Sequence, residues 1–323
     1  MKLSFFLLPF WYPFILKEKI CTQPTKTSFF SNPFTVYKSK NSTYVAHTDI
    51  CPHQGASLSR GHVDKAGFLN CPYHGFQFRD GHFCNIPNSN CATKGSFRKK
   101  MQMETLSTHG LHRDLIFVRN DTLSDTIPPI YFPPEEKNSS FRVVRGSTVI
   151  PTNYLSVCEN LLDMLHISYV HSFGSRQDPL PYNLSFDKIS DYHGRSTFFY
   201  KPNQNSISGK IGKKVSVYVE NEYILPTNTV TRVIAGDVIK TVFTRSIPIS
   251  DHETILYWQL YRNFLIHPFF DFFITFLMER TLKEDVMILK NVYSDYREGS
   301  LKTKYDKTIF EFRKSFNYYN KLK

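Results

Sequence analysis

Two hydrophobic rhythms divide the chain. Through the first third, apolar residues come in short runs bounded by turn residues. Examples are Thr35-Val36-Tyr37, Tyr44-Val45-Ala46, and Phe76 to Cys84 with Asp80-Gly81 at a hairpin tip. Pro128, Pro129, Pro133 and Pro134, set among Asp, Ser, Thr and Glu, mark a linker over residues 126–140. Beyond it, Val157 to Val170 reads as a helix. Three β-rich stretches follow: Val215–Leu225, Thr229–Ile249 with a turn at Ala235-Gly236-Asp237, and Ile255–Phe264. A long helix is predicted over about Phe269–Tyr296. Near the end, Tyr305, Ile309, Phe312, Phe316 and Tyr319 step by 4, 3, 4, 3, with Lys307, Lys314 and Lys321 on the opposite face. That spacing predicts a packed terminal helix with a solvated basic side. The whole reads as α+β: an all-β domain over residues 8–125, then an α+β domain with an antiparallel sheet over 141–323.

The 323 residues suit two domains, and 41% apolar content supplies a core. Gly 14, Pro 18 and Cys 6 exclude collagen and disulfide-scaffold classes. Lys and Arg exceed Asp and Glu by 12, which raises nucleic acid, an anionic membrane or an acidic partner. The basic residues are spread along the chain without a nucleic-acid motif, so nucleic acid ranks last. Phe stands at 29 copies, which suits either an apolar pocket or AT-rich coding. The apolar N-terminus, Met1–Leu16, resembles a signal core but is interrupted by Pro9 and Pro13 and lacks a small-x-small cleavage site. Neither secretion nor a spanning helix is expected.

Cys51-Pro52-His53 and Cys71-Pro72-Tyr73-His74 form a C-x-H and C-x-x-H pair, each followed closely by glycine. Two thiolates and two imidazoles suit zinc or a mixed-ligand [2Fe–2S] cluster. Each short half mixes one Cys with one His, which argues for the cluster, one iron taking both sulfurs. The runs Cys51-Pro52-His53-Gln54-Gly55-Ala56-Ser57-Leu58 and Cys71-Pro72-Tyr73-His74-Gly75-Phe76 resemble the Rieske motif, and Phe10-Trp11-Tyr12-Pro13 resembles the opening of a Rieske domain in oxygenases. Gln54 and Phe76 stand where that family often has Arg and Trp. The resemblance implies that Cys51, His53, Cys71 and His74 hold a [2Fe–2S] cluster. Cys21, Cys84, Cys91 and Cys158 remain as free thiols, which reads as a reducing, intracellular setting, the cytoplasm.

A second constellation lies at Glu159 to His171. Asp163 and His166 are i, i+3 neighbours on one helix face. His171 is five residues further, a turn of about 140° on an ideal helix, so the segment must bend before both imidazoles can meet one metal. Met278, Leu282, Leu289 and Val292 form an apolar stripe that contains Asp285, while Glu284 points away. A carboxylate on a core-facing stripe is costly unless paired with a cation or bound to metal.

The D-x-x-H-x-x-x-x-H run and the later Glu284-Asp285 resemble the mononuclear iron motif of the Rieske non-haem iron oxygenases. The similarity is greatest to monooxygenases of the pheophorbide a oxygenase type. It implies Fe(II) held by His166, His171 and Asp285. It also implies Asp163 as an electron-transfer bridge to His74 of an adjacent chain, and Glu159 as a further carboxylate behind the ligands. The implied activity is transfer of electrons from the cluster to the iron, activation of O₂, and hydroxylation, demethylation or desaturation of an apolar, ring-containing substrate. Implied partners are a ferredoxin or ferredoxin-type reductase, since no flavin or nicotinamide fingerprint is present, and two further copies in a homotrimer. The basic surface then suits an acidic donor or a membrane in which an apolar substrate dissolves. The alternative is a Rieske electron carrier without oxygenase activity.

Overall fold

The computed structural model describes residues 9–20, 23–86, 103, 105–109, 114–119, 128–201, 217–293 and 298–321. The chain divides into two compact units, Met1–Pro129 and Ile130–Lys323. Cys21 and Cys91 lie outside the described residues; Cys51, Cys71, Cys84 and Cys158 are free thiols.

The first unit is built from β1 (Tyr12–Leu16), β2 (Thr25–Phe29), β3 (Asn32–Lys38), β4 (Tyr44–Thr48), β5 (His62–Val63), β6 (Leu69–Asn70), β7 (Gln77–Arg79), β8 (His82–Asn85), β9 (Thr105–His109) and β10 (Leu115–Arg119). They form a six-stranded sheet, β1-β10-β9-β4-β3-β2, and a four-stranded sheet, β5-β6-β7-β8. All five residues of β1 are buried, so the second half of the signal-like run is a core strand. Phe14, Phe29 and Phe34 meet edge to face at 5.1 and 5.5 Å, a packing that aromatic quadrupoles favour. The β7–β8 hairpin turns at Asp80-Gly81, both at positive φ, as the tip residues predict.

The second unit is one antiparallel sheet with helices on a single face. Its strands are β11 (Arg142–Ile150), β12 (Tyr182–Ser190), β13 (His193–Tyr200), β14 (Val217–Ile224), β15 (Asn228–Ala235), β16 (Val238–Ser250) and β17 (Glu253–Arg262), ordered β11-β17-β16-β15-β14-β13-β12. The helices are α1 (Tyr154–Leu162), α2 (His166–Val170), α3 (Asp271–Leu289) and α4 (Lys307–Lys321). Ile274, Met278, Leu282 and Leu289 of α3 pack with Val157 of α1 onto Val144, Leu256, Trp258 and Leu260 of the sheet. The terminal helix exposes Lys307 and Lys314 and buries Phe312, as its period predicts, but its other buried residues are Thr308 and Ser315, while Ile309, Phe316 and Tyr319 of the predicted stripe are half-buried.

Three expectations change. The Pro-rich segment from residue 130 onward is no free tether. Glu135 bonds Arg232 and Thr241 on the helix-free sheet face, and Glu136 accepts from Tyr261. The single helix over 157–170 is two helices, because Asp163 is extended and its Oδ1 accepts from Leu165 N at 2.7 Å. Asp163 and His166 therefore share no helix face. Finally, of the Phe excess that suits an apolar pocket or AT-rich coding, Phe269, Phe272, Phe273 and Phe276, in and just before α3, are 41–82% exposed. Much of the Phe excess lies in the first unit's core instead. No helix among the described residues is long and apolar enough to cross a membrane.

Candidate metal centres

In the first unit the two ligand loops are near copies. Gly55 N bonds Cys51 O at 2.8 Å, and Cys51 N bonds Ala56 O; Gly75 N bonds Cys71 O at 3.0 Å, and Cys71 N bonds Phe76 O. Both glycines are left-handed, at φ 75° and 68°, which lets each loop reverse directly behind its histidine. Cys51 and Cys71 are buried beside Leu58, Leu69, Phe76 and Phe78. His53 and His74 stand at the rim with their Nδ1 atoms 3.2 Å apart, and Phe76 stacks on His53 at 4.4 Å and 18°. Burial pushes the Cys51 thiol up to about 11, so a bound metal must drive its deprotonation.

A carboxylate braces each loop, Asp49 buried and Asp64 half-buried. Asp49 accepts from Thr35 Oγ1, Ser57 Oγ, and Ser59 N and Oγ at 2.5–3.0 Å. Asp64 accepts from Ala66 N, Phe68 N, Asn70 Nδ2 and Gln77 Nε2 at 2.9–3.3 Å. Asn70 and Gln77 flank the second loop. Sequence reasoning did not single out either aspartate, although Asp49 stands two residues before Cys51.

In the second unit, ligand atoms of His166, His171 and Asp285 all lie within 4.8 Å of one another. The two Nε2 atoms are 3.2 Å apart, and Asp285 Oδ1 is 3.6 and 3.5 Å from them. The bend required between the two histidines is where α2 ends: His171 is extended, at φ −91° and ψ 139°. Each imidazole has its far nitrogen committed. His166 Nδ1 donates to Asp163 O at 2.7 Å, and His171 Nδ1 donates to Glu284 Oε2 at 3.1 Å. For neutral rings this leaves both Nε2 atoms as lone pairs aimed at each other, an arrangement that only a cation between them makes favourable. Burial holds the His171 imidazole below its ordinary value, favouring that neutral form. The donor set of two imidazoles and one carboxylate fits non-haem iron.

Residues 10–104 match the family model of the Rieske [2Fe-2S] domain, and residues 150–319, more than half of the chain, match that of the vanillate O-demethylase oxygenase C-terminal domain. The chain belongs to the Rieske oxygenase family. The Rieske domain implies a [2Fe–2S] cluster, and the oxygenase family implies mononuclear iron and O₂. The chain is 30% identical over 185 residues to the dicamba O-demethylase oxygenase component of Stenotrophomonas maltophilia, covering 55% of this chain and 50% of that one. It is 30% identical over 207 residues to the chloroplastic pheophorbide a oxygenase of Oryza sativa subsp. japonica, 58% of this chain and 38% of that. It thus spans half or less of these relatives' length. Dicamba monooxygenase bound to 3,6-dichlorosalicylic acid shares the fold, with TM-score 0.78, 20% identity and 99% of each chain covered. So does Pseudomonas putida CBB5 NdmA with caffeine, with TM-score 0.77, 20% identity, and 94% and 88% covered.

Within this Rieske oxygenase chain, the remaining sequence-derived residues divide. Asp163 reaches His166 through its main-chain carbonyl, not its side chain. Glu159 is elsewhere: both of its oxygens bond Arg313 of α4 at 2.8 Å, so it braces the terminal helix. Its neighbour Asn160 faces the centre instead, with Nδ2 donating to Asp285 Oδ1 at 3.0 Å. Glu284, which the stripe geometry turned away, is the carboxylate on His171. Phe173 stacks on the His171 ring at 5.0 Å and 13°. Beside His166, Ile167 and Met164 pack with Leu184 and Tyr305, which also line a cleft of about 700 Å³ together with Leu180, Tyr182 and Lys201.

Proposed function

We propose that this chain is the terminal component of an O₂-dependent oxygenase that hydroxylates, demethylates or desaturates an apolar, ring-containing substrate. The observation that carries this reading is the pair of tautomer-fixed imidazoles converging with Asp285. When bound, the iron groups supply one-electron transfer and dioxygen activation. The protein's own part is positional. Asp163 O and Glu284 hold protons on the outer imidazole nitrogens, Asn160 orients Asp285, and Phe173 shields one face of His171. Apolar side chains at Met164 and Ile167, beside the cleft, suit an apolar substrate.

Asp163 keeps Oδ2 without a partner among the described residues, and His74 is exposed. We read these as the two ends of a contact between adjacent chains of a homotrimer, with a ferredoxin or ferredoxin-type reductase as the electron donor. The test is metal analysis: three irons per chain, two of them in the cluster. His166→Ala is expected to keep the cluster spectrum and lose the third iron. A variant that retains three irons removes the assignment.

A further inference from the structure

Asn160 meets the metal position from the last turn of α1, and Arg313 holds that turn from α4. Asn160 Nδ2 donates to Asp285 Oδ1 at 3.0 Å. The residue before it, Glu159, takes both bonds of the Arg313 guanidinium, Nε to Oε1 and Nη2 to Oε2, each at 2.8 Å. Two bonds from one planar fork fix direction as well as distance. The two side chains are 16 and 7% exposed, so water replaces neither partner cheaply.

Arg313 is itself a fixed point. On either side of it, α4 is tied to the sheet by buried hydroxyls. Thr308 Oγ1 and Ser196 Oγ lie 2.5 Å apart, and Ser315 Oγ and the Tyr223 hydroxyl 3.0 Å. Phe312, directly before Arg313, is buried with its ring edge on Tyr223.

The helix that Arg313 grips is short, nine residues, and Glu159 is its one charged residue. A helix of that length takes its placement from tertiary contacts. Its other polar contacts near this turn reach the sheet: Cys158 Sγ approaches Ser246 Oγ at 3.6 Å, and Leu161 O accepts from Asn221 Nδ2 at 3.2 Å. Those contacts seat the buried side of α1. The rotation of its last turn between α3 and α4 is set by Glu159, because successive residues lie about 100° apart and turning Glu159 to α4 turns Asn160 to α3.

We infer that Arg313 is a positioning residue of the mononuclear centre: through Glu159 it fixes the last turn of α1, and that turn holds Asn160 against Asp285. The inference rests on the oxygenase reading above, in which Asp285 is a metal ligand. Arg313 offers the metal no donor atom. It acts through two side chains and one helical turn, so a change on the terminal helix is felt at the carboxylate ligand.

The test loads the full chain with iron and follows loss of the third iron to a chelator, with the cluster absorbance as internal reference. Arg313→Lys keeps the charge and gives up the fork. It is expected to lose the third iron at about tenfold lower chelator concentration, the lower end of what such an outer partner is worth. Asn160→Ala is expected to do the same. Because Arg313 acts through Asn160, adding Arg313→Lys to Asn160→Ala is expected to change retention by no more than about twofold, the scatter of independent sites. At full iron loading, the electron paramagnetic resonance signal of the iron's nitric oxide adduct is expected to shift in both single variants, which a purely structural loss would leave as in the parent. Glu159→Gln keeps one acceptor for Arg313 and is expected to fall between parent and Arg313→Lys. Parent-like retention or an unshifted signal in Arg313→Lys overturns the inference, as does an undiminished tenfold effect of Arg313→Lys in the Asn160→Ala background. If Arg313→Lys does not fold, Glu159→Gln decides, and parent-like retention there overturns the inference. The two readings fail distinguishably. Three irons in the parent without an Arg313 effect leaves the oxygenase and removes the positioning role. Two irons in the parent removes the oxygenase reading and the positioning role with it.

Discussion

His171 and Glu284 lie 3.1 Å apart, imidazole Nδ1 to carboxylate Oε2, at the point where two segments more than a hundred residues apart in sequence meet. Adjacent residues of α3 thus have different duties: Asp285 faces the metal position, and Glu284 sets the tautomer of a histidine that also faces it. The Glu284 side chain is 15% exposed and the His171 side chain 4%, so water does little of this work.

Removing that carboxylate tests the arrangement. Glu284→Ala leaves His171 Nδ1 without its acceptor and lets the ring present the wrong nitrogen. Outer partners of this kind are worth about 10–100-fold in metal affinity. The third iron is expected to be lost at lower chelator concentration, with the cluster absorbance unchanged. Glu284→Gln, which still accepts from Nδ1–H, is expected to fall between parent and Ala.

Gly174 is a second handle on His171. Its N–H bonds His171 O at 3.0 Å, and a Cβ there would stand 2.1 Å from Ile167 O and 2.6 Å from Ser168 Cα. Those atoms are helix backbone and cannot step aside cheaply. Gly174→Ala is expected to destabilise the second unit by about 1–3 kcal/mol, as overpacking does, and to lower third-iron content. Unaltered melting together with full iron would show that the loop after α2 has slack.

Much of this was legible in advance because chemistry with a fixed spacing survives ignorance of the fold. The four cluster residues and the trio His166, His171 and Asp285 are each recognisable from neighbours in sequence. What escaped depends on distant partners. Glu159 and Asn160 are successive residues about 100° apart around a helix. Only the path of α4, which brings Arg313 to Glu159, decides which of them turns to the centre. Strands β11 to β13 were not anticipated, though Tyr182, Leu184 and Phe186 alternate as a half-buried strand should. The break at Asp163 is set by one side-chain bond to Leu165 N, which periodicity does not register.

In the first unit, Asp49 is the stronger of the two braces. It is 2% exposed, and three hydroxyls and one main-chain N–H point at it. Asp49→Ala strands buried donors at about 1–3 kcal/mol each, less whatever water re-enters. Cluster content per chain, read from visible absorbance, is expected to drop together with thermal stability. Asp64→Ala is expected to do less, since Asp64 is only half-buried. A cluster content equal to the parent's in Asp49→Ala would remove its bracing role.

On the opposite sheet face, Arg232 joins Glu135, Glu220 and Glu222, with His193 Nε2 on Glu222 at 2.7 Å. Side-chain exposures run from 5 to 17%, so these charges are poorly screened. Arg232→Met leaves three carboxylates facing one another and is expected to cost about 3–5 kcal/mol of stability at neutral pH. The pH dependence gives the sign. Burial alone would raise Glu135 and Glu222, but the Arg232 bonds at Glu135, and His193 with Arg232 at Glu222, bring both below their ordinary value. A depressed carboxyl contributes stability that is present above its unfolded value, near 4.3, and is lost as pH falls through its lower folded value. The parent is therefore expected to lose stability below about pH 4. In Arg232→Met the same groups are raised, so that variant starts to regain stability, relative to the parent, at higher pH. Denaturant melts of both proteins from pH 7 to pH 3 are expected to converge as the carboxyls protonate. A gap that stays constant over that range would mean that Arg232 acts through packing of its stem and not through charge.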